Sequence, residues 1–285
     1  MRANLTSVGN ESSTIELLAW HVASGADEAI ADSPGNRFAE ESDSRATRAS
    51  PRRKPVAPGG QPSSVSAPGR RATAIARPTS FTSPAAHDAA RIAAACATFE
   101  DLVAAIMAFD GCALKETATK TCVYDGNPAA PIMFMGEAPG AEEDRRGLPF
   151  VGRAGRLLDQ MLTAIGLDRT SAYISNVLFW RPPGNRAPTP DEIATCLPFV
   201  ERQVALIAPK VLVLVGGISA KAVFGISDGI TRQRGTWRTY RPRGSEKSIP
   251  ATAIFHPAFL LRKPLQKRES WRDLLEIKRR LVAGD

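Results

Sequence analysis

A chain of 285 residues, 43% of them hydrophobic, is long enough for one large domain or two small ones with a packed core. No apolar run reaches the length of a membrane span, and the segment 15–22 is too short and too polar for a signal-peptide core, so the expected compartment is the cytoplasm. The net charge of +8 suits a polyanionic partner, while four cysteines without a C-x-x-C pair exclude the commonest zinc and thioredoxin-like patterns.

Between Ser44 and Ala86 there are eight basic residues and no acidic one, in a stretch rich in Ser, Pro, Ala and Gly that lacks any hydrophobic period. That composition predicts a disordered, basic tether, with a short amphipathic helix over 14–24 ahead of it. Residues 1–86 are therefore read as an N-terminal extension and residues 87–285 as the folded domain. Ile92, Ala95, Phe99, Leu102, Val103 and Ile106 recur at three- and four-residue steps and predict one helix over 89–109.

Strands and helices then alternate. Strands are predicted at 131–135, 173–179, 210–215 and 251–255, the third a continuous Val/Leu run of the kind buried on both faces of a parallel sheet. Helices are predicted at 155–165, 219–224 and 271–282. Another starts at Thr189-Pro190-Asp191-Glu192 and runs to about Ala208, kinked at Pro198; Thr189 is its N-cap, Pro190 sits at N1 and Glu192 completes a capping box. The alternation predicts a parallel sheet covered on both faces.

Two strand ends carry the chemistry. The first strand runs into Gly136-Glu137-Ala138-Pro139-Gly140 and then Glu142-Glu143-Asp144. This turn has neither the P-loop lysine pattern nor GxGxxG spacing, so it is no phosphate cradle. Carboxylates on such a turn orient a water or stabilise a cationic transition state. The last strand ends in His256-Pro257-Ala258-Phe259-Leu260-Leu261-Arg262. An imidazole at a strand end can stabilise a developing anion, and the apolar Phe259-Leu260-Leu261 followed by Arg262 and Lys263 resembles a wedge suited to press into a DNA groove. Phe150, just before a helix, offers a ring to a flat ligand, and Asn176, within an apolar strand, offers one donor and one acceptor to the edge of a pyrimidine. Each of these residues, taken alone, is also compatible with a structural role.

Together, residues 136–140, 147–155, Asn176, 181–190 and 256–262 resemble, in order, a family 4-type uracil-DNA glycosylase, a likeness that spans about 105–285. The resemblance implies a three-layer α/β/α domain with a central parallel sheet of about four strands. It implies a monofunctional hydrolase that flips uracil out of DNA and leaves an abasic site. Glu137, Glu143 and His256 would be catalytic, and Gly136, Ala138, Phe150 and Asn176 would bind the base. Arg153, Leu260, Leu261 and Arg262 would engage the DNA. Uracil-containing DNA is the implied partner, with no membrane and no obligate protein partner.

Relatives of this type hold a [4Fe–4S] cluster on four cysteines, but here only Cys112 and Cys196 match ligand positions, while Phe109 and Trp180 occupy the other two. Two thiolates do not complete a Cys₄ site, so the expectation is no metal and no cofactor, with the two cysteines as remnants. The competing readings are a product-trapping or non-catalytic DNA-binding protein on the same fold, a nucleoside hydrolase, and a glycosylase of broader damaged-base specificity.

Overall fold

The computed structural model describes residues 83–283, and the expectations for the N-terminal extension before Ser83, including the helix at 14–24, lie outside the described residues. Ser83 caps a helix, α1 (Pro84–Ala95), with Pro84 in its first turn, so a boundary at His87 would fall inside that helix. The single helix expected over 89–109 is two, α1 and α2 (Phe99–Ala108). Thr98 breaks it: its hydroxyl accepts from the Asp101 N–H at 3.1 Å, and the Asp101 carboxylate accepts from the Thr98 N–H at 3.0 Å. This reciprocal cap satisfies two orphan donors of the second helix, and a Thr-x-x-Asp signal for it stands in the sequence.

A six-stranded sheet has the order β1-β3-β2-β4-β6-β5. Its centre is the expected set of four parallel strands: β3 (Tyr173–Asn176), β2 (Ile132–Gly136), β4 (Val211–Val215) and β6 (Ile249–Ile254). Two short antiparallel edge strands, β1 (Asp125–Gly126) and β5 (Arg238–Tyr240), were not expected; two or three residues carry no period to read. Along β2 the pleat divides the core. Met133 and Met135 join Leu102, Ile106 and Phe199 on one side, while Ile132 and Phe134 join Leu158, Leu162 and Ile277 on the other. The sheet is thus the middle layer of three.

The helix predicted from Thr189 is present over Pro190–Ile207, with Thr189 Oγ1 accepting from the Glu192 N–H at 3.2 Å and Glu192 accepting from the Thr189 N–H at 2.8 Å. β3 is shorter than the 173–179 expected. It ends at Asn176, and the next two amides donate to the carbonyls of Gly136 and Glu137, each at 3.0 Å. Asn176 is therefore at a strand's carboxyl end rather than in its middle. Still paired and buried, it thus sits at the edge where α/β sheets open their ligand crevices.

Candidate active site

Parallel register aligns the ends of the four central strands. Gly136 pairs with Asn176 across β2 and β3, Val215 pairs with Ile254 across β4 and β6, and His256 follows two residues later. At this edge lies a cleft of about 530 Å³ lined by Glu137, Ala138, Glu143, Phe150, Asn176, His256 and Arg262, among others. Residues from five separate stretches of sequence meet there.

Gly136 does not line the cleft but makes it possible. A Cβ at this position would stand 2.3 Å from Asn176 Oδ1 and 2.5 Å from the Phe150 ring, so any side chain would displace both. Asn176 is 2% exposed, yet its amide has no hydrogen-bond partner among the described residues. A buried amide that faces a cleft in this way keeps both its donor and its acceptor free to pair with a polar group there.

The two glutamates differ sharply. The Glu143 carboxylate accepts from the N–H groups of Gly140 (3.1 Å), Val151 (3.0 Å) and Gly152 (2.8 Å), tying the turn after β2 to the segment that carries Phe150. It stands on a short helix, α4 (Ala141–Arg146), that the sequence reading did not foresee. Glu137 carries no hydrogen bond on its carboxylate among the described residues, and burial alone holds its pKa above the usual glutamate range. Glu143 is structurally committed, whereas Glu137 is available.

His256 caps another short helix, α9 (Pro257–Arg262), by accepting the Ala258 N–H on Nδ1 at 3.1 Å. Burial first, and the charge of Arg262 second, bring its pKa down to about 4 against a smaller opposing pull from Glu143. The ring is thus neutral at physiological pH. With Nδ1 engaged as acceptor, the proton resides on Nε2. Its imidazole stacks on Phe150, with centroids 5.7 Å apart and planes inclined by 29°.

The expected DNA-contacting set is divided. Arg262 lines the cleft, Leu261 is 39% exposed and Arg153 is exposed outside the cleft lining. Leu260 corrects the reading of Phe259-Leu260-Leu261 as an exposed wedge. It is 1% exposed and packs into the core below the sheet, because residues 257–262 form a helix whose successive side chains diverge. Two further cleft residues, Asn185 and Arg186, were given no role beforehand; they sit in the Arg-Pro-Pro-Gly-Asn-Arg stretch, which was itself the available signal.

The corner that would hold an iron–sulfur cluster is filled by side chains. Phe109 and Trp180 are buried with centroids 6.5 Å apart, Phe199 packs edge-on to Phe109 at 5.0 Å, and Trp180 Nε1 donates to Thr121 Oγ1 at 3.0 Å. The Cys112 and Cys196 thiols act on one another, and that interaction together with burial keeps the Cys196 thiol well above its ordinary pKa. Cys122 is engaged elsewhere. Its thiol donates to the Glu143 carbonyl at 3.1 Å and is pushed up to about 12 by burial and by the charges of Asp144 and Glu143. With Phe109 and Trp180 buried at two of the four ligand positions, Cys112 and Cys196 alone fall short of the four thiolates that a cluster needs.

Comparison with known proteins agrees with the geometry. Residues 123–275 match the family model described as the uracil DNA glycosylase superfamily. A type-4 uracil-DNA glycosylase of Archaeoglobus fulgidus is 41% identical over 184 residues, covering 63% of this chain and 92% of that protein. Those of Sulfurisphaera tokodaii and Thermotoga maritima are each 43% identical, covering 54% and 53% of this chain and 71% and 77% of theirs.

Proposed function

This chain belongs to the uracil DNA glycosylase superfamily, and on that premise we propose that it flips uracil out of DNA and hydrolyses its N-glycosidic bond, leaving an abasic site. The observation that supports this most is the pairing, in one cleft, of an unpartnered carboxylate on Glu137 with a neutral, Nδ1-capped His256. Cleavage sends the bonding electron pair out with the uracil ring and leaves positive charge on the sugar. Glu137, ionised, stabilises that cation and takes a proton from the attacking water. The His256 Nε2–H donates to the uracil anion, and the open Asn176 amide pairs with the uracil edge. Phe150 forms the apolar wall for the flat base. Glu143 serves by fixing the loops, and Arg262 and Leu261 lie toward the DNA.

No lysine lines this cleft among the described residues, so hydrolysis by water is favoured over a Schiff base. A uracil-containing oligonucleotide should yield strand breaks only after alkali; breaks without alkali, or a borohydride-trapped adduct, would contradict the assignment. No helix among the described residues is long and apolar enough to cross a membrane.

The enzyme is further proposed to fold and work without an iron–sulfur cluster, since Phe109 and Trp180 supply buried apolar contacts where two thiolates would be needed. Purified protein is expected to be colourless, and Cys112→Ser and Cys196→Ser to retain activity with modest loss of stability. About four irons per chain, or loss of fold in Cys122→Ser, would overturn this.

Residues before the first helix are proposed to be dispensable for chemistry. A chain starting shortly before Ser83, the cap of α1, should excise uracil at the full rate. Loss of the eight basic residues between Ser44 and Ala86 should weaken DNA binding at low salt, with the two affinities converging as salt rises. An insoluble or inactive fragment would show that the extension belongs to the fold.

A further inference from the structure

Phe150 adopts φ of 55°, in the left-handed region that bulky side chains rarely enter. Such strain persists only where the surroundings over-determine it, and it clusters at functional sites. Two neighbours determine it here. The helix α5 (Arg153–Ala164) passes so close that a Cβ on Gly155 would lie 1.6 Å from the Phe150 carbonyl oxygen. Arg169, just ahead of β3, donates from Nη1 to the Pro149 carbonyl at 3.3 Å and from Nη2 to the Phe150 carbonyl. The guanidinium is aimed in turn by two carboxylates, Asp159 on Nε at 2.8 Å and Asp125 on Nη1. Only a quarter of the Arg169 side chain is exposed, and it does not line the cleft.

We propose that Arg169 is a positioning residue for the base slot. It clamps two successive carbonyls and so holds Phe150 in its strained conformation with the ring against His256. The inference rests on reading Phe150 as the wall of the uracil slot. A planar fork is required: a lysine ammonium keeps the charge opposite Asp125 and Asp159 but does not bind two carboxylates and two carbonyls in one plane.

The test is a double-mutant cycle in the full-length protein, with single-turnover excision from a uracil-containing oligonucleotide, affinity for a non-cleavable 2′-fluoro analogue, and thermal melting as readouts. Arg169→Lys is expected to melt near the wild type, to bind DNA as tightly, and to excise uracil about 10- to 100-fold more slowly, the scale on which displacements of about 1 Å act. In a Phe150→Ala background the same substitution should add nothing, because its effect passes through the ring. Equal slowing in both backgrounds, or a wild-type rate for Arg169→Lys, overturns the proposal. A wild-type rate for Phe150→Ala alone removes the reading of Phe150, and the inference with it, and is seen in the single variant. Should Arg169→Lys melt early, Asp125→Asn and Asp159→Asn loosen the same guanidinium from the solvent side. Their smaller slowing must likewise vanish in the Phe150→Ala background, and no slowing in either overturns the proposal.

Discussion

Glu137→Gln is expected to slow uracil release by about 10²–10⁴-fold, the range for removing a positioned acid–base group, while leaving DNA affinity unchanged. Gln has the shape and hydrogen-bonding reach of Glu but neither its charge nor its basicity, so loss of rate with intact binding isolates the carboxylate's chemistry. The pH profile carries an independent signature. Burial raises the Glu137 pKa, and the reacting form is the ionised one. The rate should therefore fall as pH drops through a value above the usual glutamate range, and this acid limb should be absent from the residual activity of Glu137→Gln. Stability moves the other way. An acid whose pKa is raised in the fold costs stability where it is ionised, and that cost fades as pH falls through the raised value. At neutral pH the Gln variant should melt at or above the wild-type temperature. A parallel Glu143→Gln should destabilise, because it weakens acceptance from three backbone amides. If instead Glu143→Gln abolished the chemistry in a stable protein and Glu137→Gln did not, the two roles would be exchanged.

That distinction between the glutamates was not legible in the sequence, and the reason is physical. Both lie within seven residues in the stretch after β2, and only the folded approach of Val151 and Gly152 decides which carboxylate is saturated. The four central strands were readable because buried parallel strands are continuous apolar runs, and the helix from Thr189 because its cap is written in adjacent residues. Leu260 was misread for the opposite reason. Leu260 and Leu261 are chemically identical neighbours, and only the helical turn after His256 sends one into the core and leaves the other outside. Arg169 drew no notice because its partners are two carbonyls and two carboxylates from three other stretches of the chain. Spacing reveals local devices; long-range clamps emerge only when the chain is folded.

His256→Ala is expected to slow uracil release by about 10²–10³-fold, the loss typical of one hydrogen-bond donor to a developing anion. Alanine also removes the Nδ1 acceptor that caps α9, at about 0.5–2 kcal/mol for a lost cap, so a rate loss alone leaves two explanations. His256→Asn separates them: Asn is a good N-cap and should restore the melting temperature, but its amide does not occupy the position of Nε2 and should leave the rate low. Full recovery of rate in His256→Asn would reduce His256 to a cap. The leaving group supplies a second test, since 5-fluorouracil departs as a more stable anion and should suffer less from either substitution. The protonation state fixes the pH behaviour. With its pKa brought down to about 4, His256 donates as a neutral imidazole, so the rate should show no limb near 6.5. A histidine with a depressed pKa in the fold binds its proton more readily once unfolded, so stability should fall as pH drops from about 6.5 towards 4. That sensitivity should shrink in His256→Asn. A rate that climbs as pH falls through 6.5 would mean that the imidazolium is the working form and that the neutral-donor assignment is wrong.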